Sequence, residues 1–240
     1  MVFARTRGHT PTREDHEGMA VVHRTTMEPG KLELLESWLP TRPWYVPTGS
    51  APVLSRAGGF RLDDPEGEVG IEFMVVTDGS GDRPVTYHVP LTYRGAPLEA
   101  PHEDGRDALV GTSEHGVLGR RWIYDATGDP VFVAQLLALF QGRAEPQAQS
   151  ETDTPDRTVT RHGDEALPPP PSPADRSTVS DGPDGTAVAV PTADGPLTLT
   201  VVRVLEPAAP LPAHPSVTAP WKLPDGTEHR SPFAFLRTGS

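Results

Sequence analysis

The carboxylates and histidines are the side chains best suited to chemistry in this sequence, and their spacing favours structural roles. The acidic run at residues 63–68 could hold calcium, but it lacks the alternating ligand spacing of a calcium loop, and an acidic turn between strands fits it better. His88, His102 and His115 are scattered along the chain without the spacing of a zinc site. The sequence therefore predicts no metal-binding residue and no cofactor.

The tripeptide at residues 162–164 matches the His-Gly-Asp catalytic loop of sugar and aminoglycoside kinases. Phosphoryl transfer also needs a magnesium ligand and groups that hold phosphate. Residues 165–169 offer no Asn or Gln as that ligand, and the motif lies in a proline-rich stretch rather than in a folded context. Lys31 opens a predicted helix instead of a nucleotide-facing strand, and no glycine-rich nucleotide motif occurs. We predict a chance match and no kinase activity.

Glycoside chemistry needs two carboxylates about 5 to 10 Å apart across a sugar. The chain has many carboxylates, so a small sugar-active enzyme with an unrecognised pair stays an alternative. A glucan-branching enzyme needs an eight-stranded α/β barrel of about 250 residues, and the alternating pattern of that barrel is missing. A Gly-x-Ser-x-Gly nucleophile turn is also missing. We therefore predict no catalytic residue.

The composition of the chain limits the kinds of molecule that it is expected to bind. The 240 residues carry 33 acidic and 21 basic side chains, a net charge of −12 that disfavours nucleic acid and anionic membranes. There is no cysteine, which excludes disulfides and thiolate chemistry. The N-terminal region lacks the apolar core of a signal peptide, and no apolar run approaches the roughly 20 residues of a membrane span. The expected location is the cytoplasm.

Composition also divides the chain into four zones. Residues 1–18 form a polar tail that we expect to be disordered, and residues 19–142 form a folded body. Residues 143–185 contain nine acids, four bases and eight prolines, a composition typical of a disordered linker. Residues 186–238 return to strand-like patterning and are expected to pack on the sheet of the body.

Hydrophobic periodicity predicts an α+β fold, a curved and mostly antiparallel sheet with two main helices. The helices are expected at 29–39 and at 129–142. In the second helix Asp129 is the N-cap, Pro130 takes the first helical position and Gly142 ends the helix. Strands are predicted in the body at 20–25, 53–62, 68–77, 85–93, 107–112 and 117–124, and in C-terminal hairpins at 186–190 with 197–205 and 218–223 with 229–237. Pro90 cannot donate a ladder hydrogen bond, which indicates an edge or bulged strand.

Three segments, in order and at matching spacing, resemble the N-terminal cap domain of maltokinases. They are Lys31–Tyr45 with its Trp-Leu-Pro sequence, Tyr87–Arg94, and Ala108–Gly111 followed by Trp122–Pro130. The resemblance spans residues 19–142 and implies a cystatin-like cap of curved sheet and helices, here as a stand-alone cap without kinase lobes. It further implies a non-catalytic binding or regulatory protein associated with α-glucan, maltose or trehalose metabolism.

Large aromatic side chains are the candidate partner-binding residues, namely Trp38, Trp44, Tyr45 and Trp122. Such residues anchor protein interfaces, but they also fill small cores because each buries a large area. The expected partner is a protein such as an enzyme of the α-glucan or trehalose pathways. A carbohydrate-binding module that uses exposed Trp and Tyr side chains is a further alternative.

Overall fold

Fourteen strands and two α-helices make up the part of the chain that this computed structural model describes, which is residues 27–98, 108–151, 154–163, 177–182, 185–192, 195–207 and 209–238. The mostly antiparallel sheet with two short helices confirms the α+β prediction. The predicted tail at 1–18 and the strand at 20–25 lie outside the described residues. The elements of the first half are β1 (Met27–Glu28), α1 (Lys31–Trp38), β2 (Leu54–Leu62), β3 (Gly70–Asp78), β4 (Val85–Arg94), β5 (Leu109–His115), β6 (Gly119–Asp125) and α2 (Pro130–Phe140).

The second half adds only strands. They are β7 (Gln147–Ala148), β8 (Thr160–His162), β9 (Thr178–Gly182), β10 (Gly185–Val190), β11 (Leu197–Val201), β12 (Val204–Leu205), β13 (Ser216–Lys222) and β14 (Glu228–Thr238). Two 3₁₀ turns, Leu39–Thr41 and Ala126–Gly128, follow α1 and precede α2. α1 has 8 residues and α2 has 11, and neither is long and apolar enough to cross a bilayer.

The strands form one sheet in the order β1-β5-β6-β4-β3-β2-β13-β14-β11-β10-β9. β12 pairs with β4, and just before β12 the N–H of Val202 donates to the carbonyl of Phe233 on β14. The path from β4 through β3, β2, β13 and β14 therefore returns to β4. The C-terminal strands and the strands of the body thus share a closed ring, joined also where Trp221 of β13 pairs with Gly58 of β2.

The apolar residues pack into two cores on the two faces of the sheet. Successive side chains of a strand point to opposite faces, so Phe73 and Val75 of β3 enter one core and Met74 and Val76 the other. The inner core lies within the ring between α2 and the C-terminal strands, and includes the stacked rings of Phe60 and Phe73 at 4.2 Å. The outer core lies between the sheet and α1.

The helices follow from local signals. Asp129 accepts a hydrogen bond from the N–H of Val131, Pro130 takes the first helical position, and Gly142 has a positive φ of 72° after the last turn of α2. α2 is apolar nearly all round and is buried on most sides. α1 is amphipathic instead, and buries Leu35 and Trp38 against the outer core.

Pro90 lies in a central strand, so the prediction of an edge strand was wrong. β4 pairs with β3 along its whole length. On its other side β12 pairs only with Thr86 and Tyr87, and β6 pairs only from Leu91 onward. On that side the N–H of His88 donates to the carbonyl of Arg203 at 2.9 Å. The backbone nitrogen of Pro90 points the same way, because successive backbone N–H groups of a strand alternate in direction. Pro90 therefore lacks its N–H at a position between the end of β12 and the end of β6, where no strand requires it.

The segment predicted as a disordered linker contains ordered strands, so that prediction was wrong for its described residues, 143–151, 154–163, 177–182 and 185. β7 pairs with β2, β8 with β13 and β9 with β10. Composition gave the wrong prediction because a strand that pairs with an existing sheet is stabilised by main-chain hydrogen bonds. Such a strand does not need many apolar side chains. Val179 is nevertheless buried in the inner core. The four prolines at 168–171 lie outside the described residues.

A buried ion pair joins the C-terminal segment to the body. Arg203, just before β12, donates to both carboxylate oxygens of Asp125 at 2.8 and 2.7 Å, and its Nε donates to Thr186 at 2.7 Å. Its guanidinium lies 4.9 Å from the ring centroid of Trp44. Arg203 thereby contacts side chains from the loop after α1, from the end of β6 and from β10.

Candidate partner-binding surface

Trp38 and Trp44 are core residues, which corrects the expectation that they bind a partner. Their exposed fractions are 6% and 9%, and their ring centroids lie 5.9 Å apart. Trp44 also contacts Tyr87 of β4 at 6.0 Å. Each ring is used to fill the outer core, so neither side chain is available at the surface of the folded chain.

Tyr45 and Trp122 are partly exposed, and the structure places them apart. Tyr45 stacks on Tyr87 at 5.6 Å, in the loop that follows α1. Trp122 lies on β6 between Arg94 of β4 and Thr112 of β5. Of the four predicted aromatic residues, these two remain candidates for contact with a ligand or partner.

The loop that carries Tyr45, residues 42–53, has neither helix nor strand, and Asp78 fixes it to the end of β3. The Asp78 carboxylate accepts hydrogen bonds from the hydroxyl of Tyr45 at 2.9 Å and from the N–H of Val53 at 3.0 Å. It also accepts from the N–H of Ser80 at 2.9 Å. Burial alone would raise the pKa of Asp78, but these donors outweigh it and hold the pKa below its ordinary value. The anchor is therefore a carboxylate at neutral pH.

Tyr87 and Ser80 give the same loop two further attachments. The N–H of Val46 donates to the hydroxyl of Tyr87 at 3.0 Å, and the hydroxyls of Thr48 and Ser80 lie 2.8 Å apart. Burial raises the pKa of Tyr87 to about 12, so this hydroxyl stays protonated at physiological pH. The loop is thus held at both ends and in its middle.

This fixed loop presents apolar side chains to solvent. Val46 is 45% and Val53 is 63% exposed, and Pro43 and Pro47 are exposed beside them. We call these four residues the loop surface. Composition did not reveal it, because its exposure depends on contacts with Asp78 and Tyr87, which lie 25 to 41 residues away in sequence.

A second apolar pair lies at the turn between β5 and β6. Val117 is 63% and Leu118 is 45% exposed, and the N–H groups of both donate to Nδ1 of His115. We call Val117 and Leu118 the hairpin tip. β4 begins at Val85, opposite Asp78, and ends at Arg94, opposite Trp122. The loop surface and the hairpin tip therefore lie at opposite ends of the sheet.

Glu72 is a buried carboxylate with three hydrogen-bond donors, and its contacts are structural. It lies buried on β3 and accepts from Lys31 and Tyr93 at 2.5 Å each and from Gln149 at 2.8 Å. Burial would raise the pKa of Glu72, but the charge of Lys31 and the three hydrogen bonds lower it overall. This cluster fastens α1 and the residue that follows β7 to the same sheet.

The histidines form no metal site in the described part of the chain, where no three or more His, Asp or Glu side chains converge. His88 is fully buried between Phe73 and Phe233 and contacts the carbonyl of Val202 through Nδ1 at 3.0 Å. Burial lowers its pKa to about 3. His162 lies in β8 and contacts the hydroxyl of Thr218 on β13, while Asp164 of the same tripeptide is outside the described residues.

Comparison with protein families identifies part of this architecture. Residues 38–129 match the family model of the maltokinase N-terminal cap domain. The chain contains a maltokinase cap-like domain. The match runs from the last residue of α1 to the N-cap of α2, and it includes both the loop surface and the hairpin tip. No curated protein matches the chain.

The match covers the three segments that resemble the cap, apart from residues 31–37 of α1 and Pro130. The closed ring extends beyond it, because β13, β14 and β12 complete the path around β2, β3 and β4. The loop surface and the hairpin tip therefore belong to the cap-like domain, while part of the support of that domain comes from strands outside the match.

Proposed function

We propose that this chain is a non-catalytic binding or regulatory protein. Its cap-like domain docks onto a protein partner, an enzyme of α-glucan, maltose or trehalose metabolism in the cytoplasm. The observation that carries the proposal is the loop surface, four exposed apolar residues on a loop that is tied to Asp78 and Tyr87 inside the region that matches the maltokinase cap. Rigid apolar groups lose little conformational entropy on binding, which favours association.

Three buried carboxylates form ion pairs within the fold, which supports a binding role rather than catalysis. Glu72 is held by Lys31, Asp125 by Arg203, and Asp129 by Arg94 at 2.6 Å while it caps α2. A general acid or base must reach the proton that it transfers to or from a substrate. These three carboxylates instead point into contacts that hold elements of the fold together.

Binding to defined enzymes tests the proposal. The full chain is immobilised and exposed to purified maltokinase, a trehalose-forming enzyme and a glucan-branching enzyme, with an unrelated protein of similar negative charge as the control. We expect saturable binding to one of the three with a Kd of about 1 μM or tighter, a value typical of specific complexes. Absence of binding to all three at ten times that concentration would contradict the proposed partner class.

Catalysis is tested on the same preparation. Purified chain is incubated with ATP and maltose or with glucans, and phosphorylated or transglycosylated products are measured. We expect no turnover above the buffer. Turnover that co-purifies with the chain through several columns would replace the binding proposal with the sugar-active alternative.

Carbohydrate binding is the second candidate, favoured by the half-exposed Trp122 on β6 between Arg94 and Thr112. An aromatic face beside hydrogen-bonding groups is typical of sites that orient small polar ligands. Affinity electrophoresis in gels containing glycogen measures it. Retardation that is lost in Trp122→Ala but kept in Val46→Ser would favour this candidate, and unchanged mobility of the wild type would remove it.

A further inference from the structure

A group of polar side chains on the C-terminal strands takes no part in the proposed function. The hydroxyls of Thr160 on β8 and Thr218 on β13 lie 2.7 Å apart, and Nε2 of His162 lies 3.1 Å from the hydroxyl of Thr218. Nη1 of Arg230 on β14 donates to the same two hydroxyls at 3.2 and 3.3 Å. These four side chains come from three neighbouring strands, and we call them the polar cluster.

The polar cluster lies on the face of the sheet that points away from the inner core. Thr160 is directly opposite Thr218, and the side chains of such a pair share one face. Val217, the residue before Thr218, points the other way into the inner core. Thr160 and Arg230 are exposed and His162 is partly exposed, so a small molecule in solvent can reach the cluster.

Arg230 is held in place by neutral oxygen atoms. Besides the two hydroxyls, it donates through Nη1 to the carbonyl of Thr218 at 3.4 Å and through Nη2 to the carbonyl of Thr158 at 2.7 Å. In the described part of the chain no carboxylate forms an ion pair with Arg230, whereas the buried Arg203 pairs with Asp125. The positive charge of Arg230 is therefore fixed in position without a described carboxylate to neutralise it.

The same contacts leave donors of Arg230 for a ligand. Nη2 carries two N–H groups and donates to one carbonyl, and Nε has no hydrogen-bond partner among the described residues. Nε and Nη2 lie on one edge of the planar guanidinium. That edge has the spacing that binds two oxygen atoms of an oxyanion at once.

Ser216 adds a hydroxyl on the same face. It lies directly opposite His162 and two residues before Thr218, and it is fully buried. Its Oγ has no hydrogen-bond partner among the described residues. A buried hydroxyl without a partner costs free energy, and such groups in native proteins are normally bound by a ligand or by water. Ser216, His162 and Arg230 therefore place hydrogen-bonding groups around Thr218.

Two acidic side chains near the cluster in sequence are paired with other groups. Glu228, two residues before Arg230 on β14, forms an ion pair with Lys222 at 3.7 Å. Asp156 accepts from the N–H and the hydroxyl of Thr158 at 2.9 and 2.5 Å. Among the described residues no carboxylate is hydrogen-bonded to the polar cluster itself, although the whole chain has a net charge of −12.

We propose that the polar cluster binds phosphate, either as the free ion or as the phosphate group of a small molecule. A phosphate dianion has several acceptor oxygens in a tetrahedral arrangement. The cluster offers it a fixed guanidinium, hydroxyls and an imidazole, which are the groups that form charge-assisted hydrogen bonds to oxyanions. The inference goes beyond the proposed function, because it adds a small-molecule site on strands outside residues 38–129.

The experiment titrates the full chain, labelled with ¹³C in its Thr methyl groups, with inorganic phosphate, glucose 6-phosphate and glucose at constant ionic strength. Thr160→Ser and Thr218→Ser assign the two reporting methyls and keep the hydroxyls. We expect saturable shifts of both methyls with the two phosphate-bearing probes, at a Kd of about 1 mM or tighter, and none with glucose. Tighter binding of glucose 6-phosphate identifies a phosphate monoester as the ligand, and equal binding identifies the free ion.

Two arginine variants with the same change in net charge separate the site from the general field of the protein. Arg230→Gln should weaken phosphate binding at least about tenfold, because it removes charge-assisted hydrogen bonds. Arg120→Gln, in the exposed ion pair with Glu114, should leave the Kd within about twofold, because exposed charges at a distance are screened by salt. Ser216→Ala should weaken binding about threefold or more through the loss of one hydrogen bond.

Arg230→Gln also removes contacts that hold β8, so thermal melting checks its fold and Arg230→Lys is measured beside it. Lysine keeps the charge without the planar pair of donors, and should recover part of the lost affinity. If the glutamine variant does not fold, the wild-type titration and Arg230→Lys decide the question.

Three results would overturn the inference. They are no saturable shift with either phosphate probe up to about 20 mM, equal shifts with glucose, and equal losses of affinity in Arg230→Gln and Arg120→Gln. The titration contains no protein partner, so its outcome does not depend on whether an enzyme of the panel above binds.

Discussion

The cap-like region, residues 38–129, and the C-terminal strands, residues 186–238, contribute differently to this molecule. The cap-like region carries the loop surface, the hairpin tip and the outer core under α1. The C-terminal strands supply a large share of the inner core, including Trp221 and Phe233. The first region matches a family model and carries the loop surface and the hairpin tip, while the second lies outside that match and supplies much of the inner core.

The inner core is shared by both regions. Phe233 of β14 lies 6.0 Å from Phe60 of β2 and 4.4 Å from His88 of β4, so the rings from both regions pack together. The boundaries of a family match therefore do not have to be the boundaries of a stable structure. Four measurements test this difference between the regions.

Removal of the C-terminal strands should have the largest effect. A chain that ends at residue 142 loses Trp221, Phe233 and Arg203, and exposes the inner face of β2, β3 and β4. We expect the loss to exceed the whole free energy of unfolding, which is about 5–15 kcal/mol for a domain. Circular dichroism and thermal melting against the full chain measure it. A cooperative melt of the truncated chain would show that the cap-like region folds alone.

Arg203→Met should come next, because it leaves the fully buried Asp125 without its cation. Breaking a buried pair from one side costs about 3–5 kcal/mol, measured here by urea denaturation. The double variant Arg203→Met/Asp125→Leu is the control, and should recover part of that stability because no charge remains buried. A single variant within 1 kcal/mol of wild type, on the scale of ordinary surface changes, would mean that the pair does not join the regions.

The buried His88 should make stability depend on pH. Burial lowers the pKa of His88 from the ordinary 6.5 to about 3 in the folded chain. Between these two pH values the imidazole is protonated in the unfolded chain and neutral in the folded chain. Stability should be full above pH 6.5 and decrease by about 1.4 kcal/mol per pH unit between 6.5 and 3. His88→Leu should reduce this slope in urea titrations at several pH values. An unchanged slope would place the proton uptake elsewhere.

The smallest effect is expected at the loop surface. Val46→Ser/Val53→Ser changes exposed side chains whose backbone contacts remain, so the free energy of unfolding should stay within about 0.5 kcal/mol per substitution. Thermal melting measures this, with Val75→Ser in the inner core as the matched core change that should destabilise strongly. A large loss in the loop variant would mean that this patch supports the fold rather than presenting a surface.

Local signals made much of the fold predictable. The cap at Asp129, Pro130 and the final Gly142 identify α2, and the alternation in β3 identifies a strand. Non-local pairing could not be read in the same way. Pro90 looked like an edge residue because the sequence does not show that β12 and β6 share one side of β4.

The candidate site was harder to predict than the fold. Large aromatic side chains pointed to Trp38 and Trp44, yet both are buried because their rings pack against each other and Trp44 packs against Tyr87. Val46 and Val53 are unremarkable in sequence, and become a surface through hydrogen bonds to Tyr87 and Asp78.

The closure of the strands at β12 has a kinetic consequence. The edge strand of an open sheet can separate by breaking the hydrogen bonds on one side only. Each strand of a closed ring has a neighbour on both sides, so hydrogen bonds between two strands of the ring must break first. The N–H of His88, bonded to the carbonyl of Arg203 at this closure, should therefore exchange with deuterium when β12 separates from β4. Its exchange rate would then report the opening of the ring at a single position.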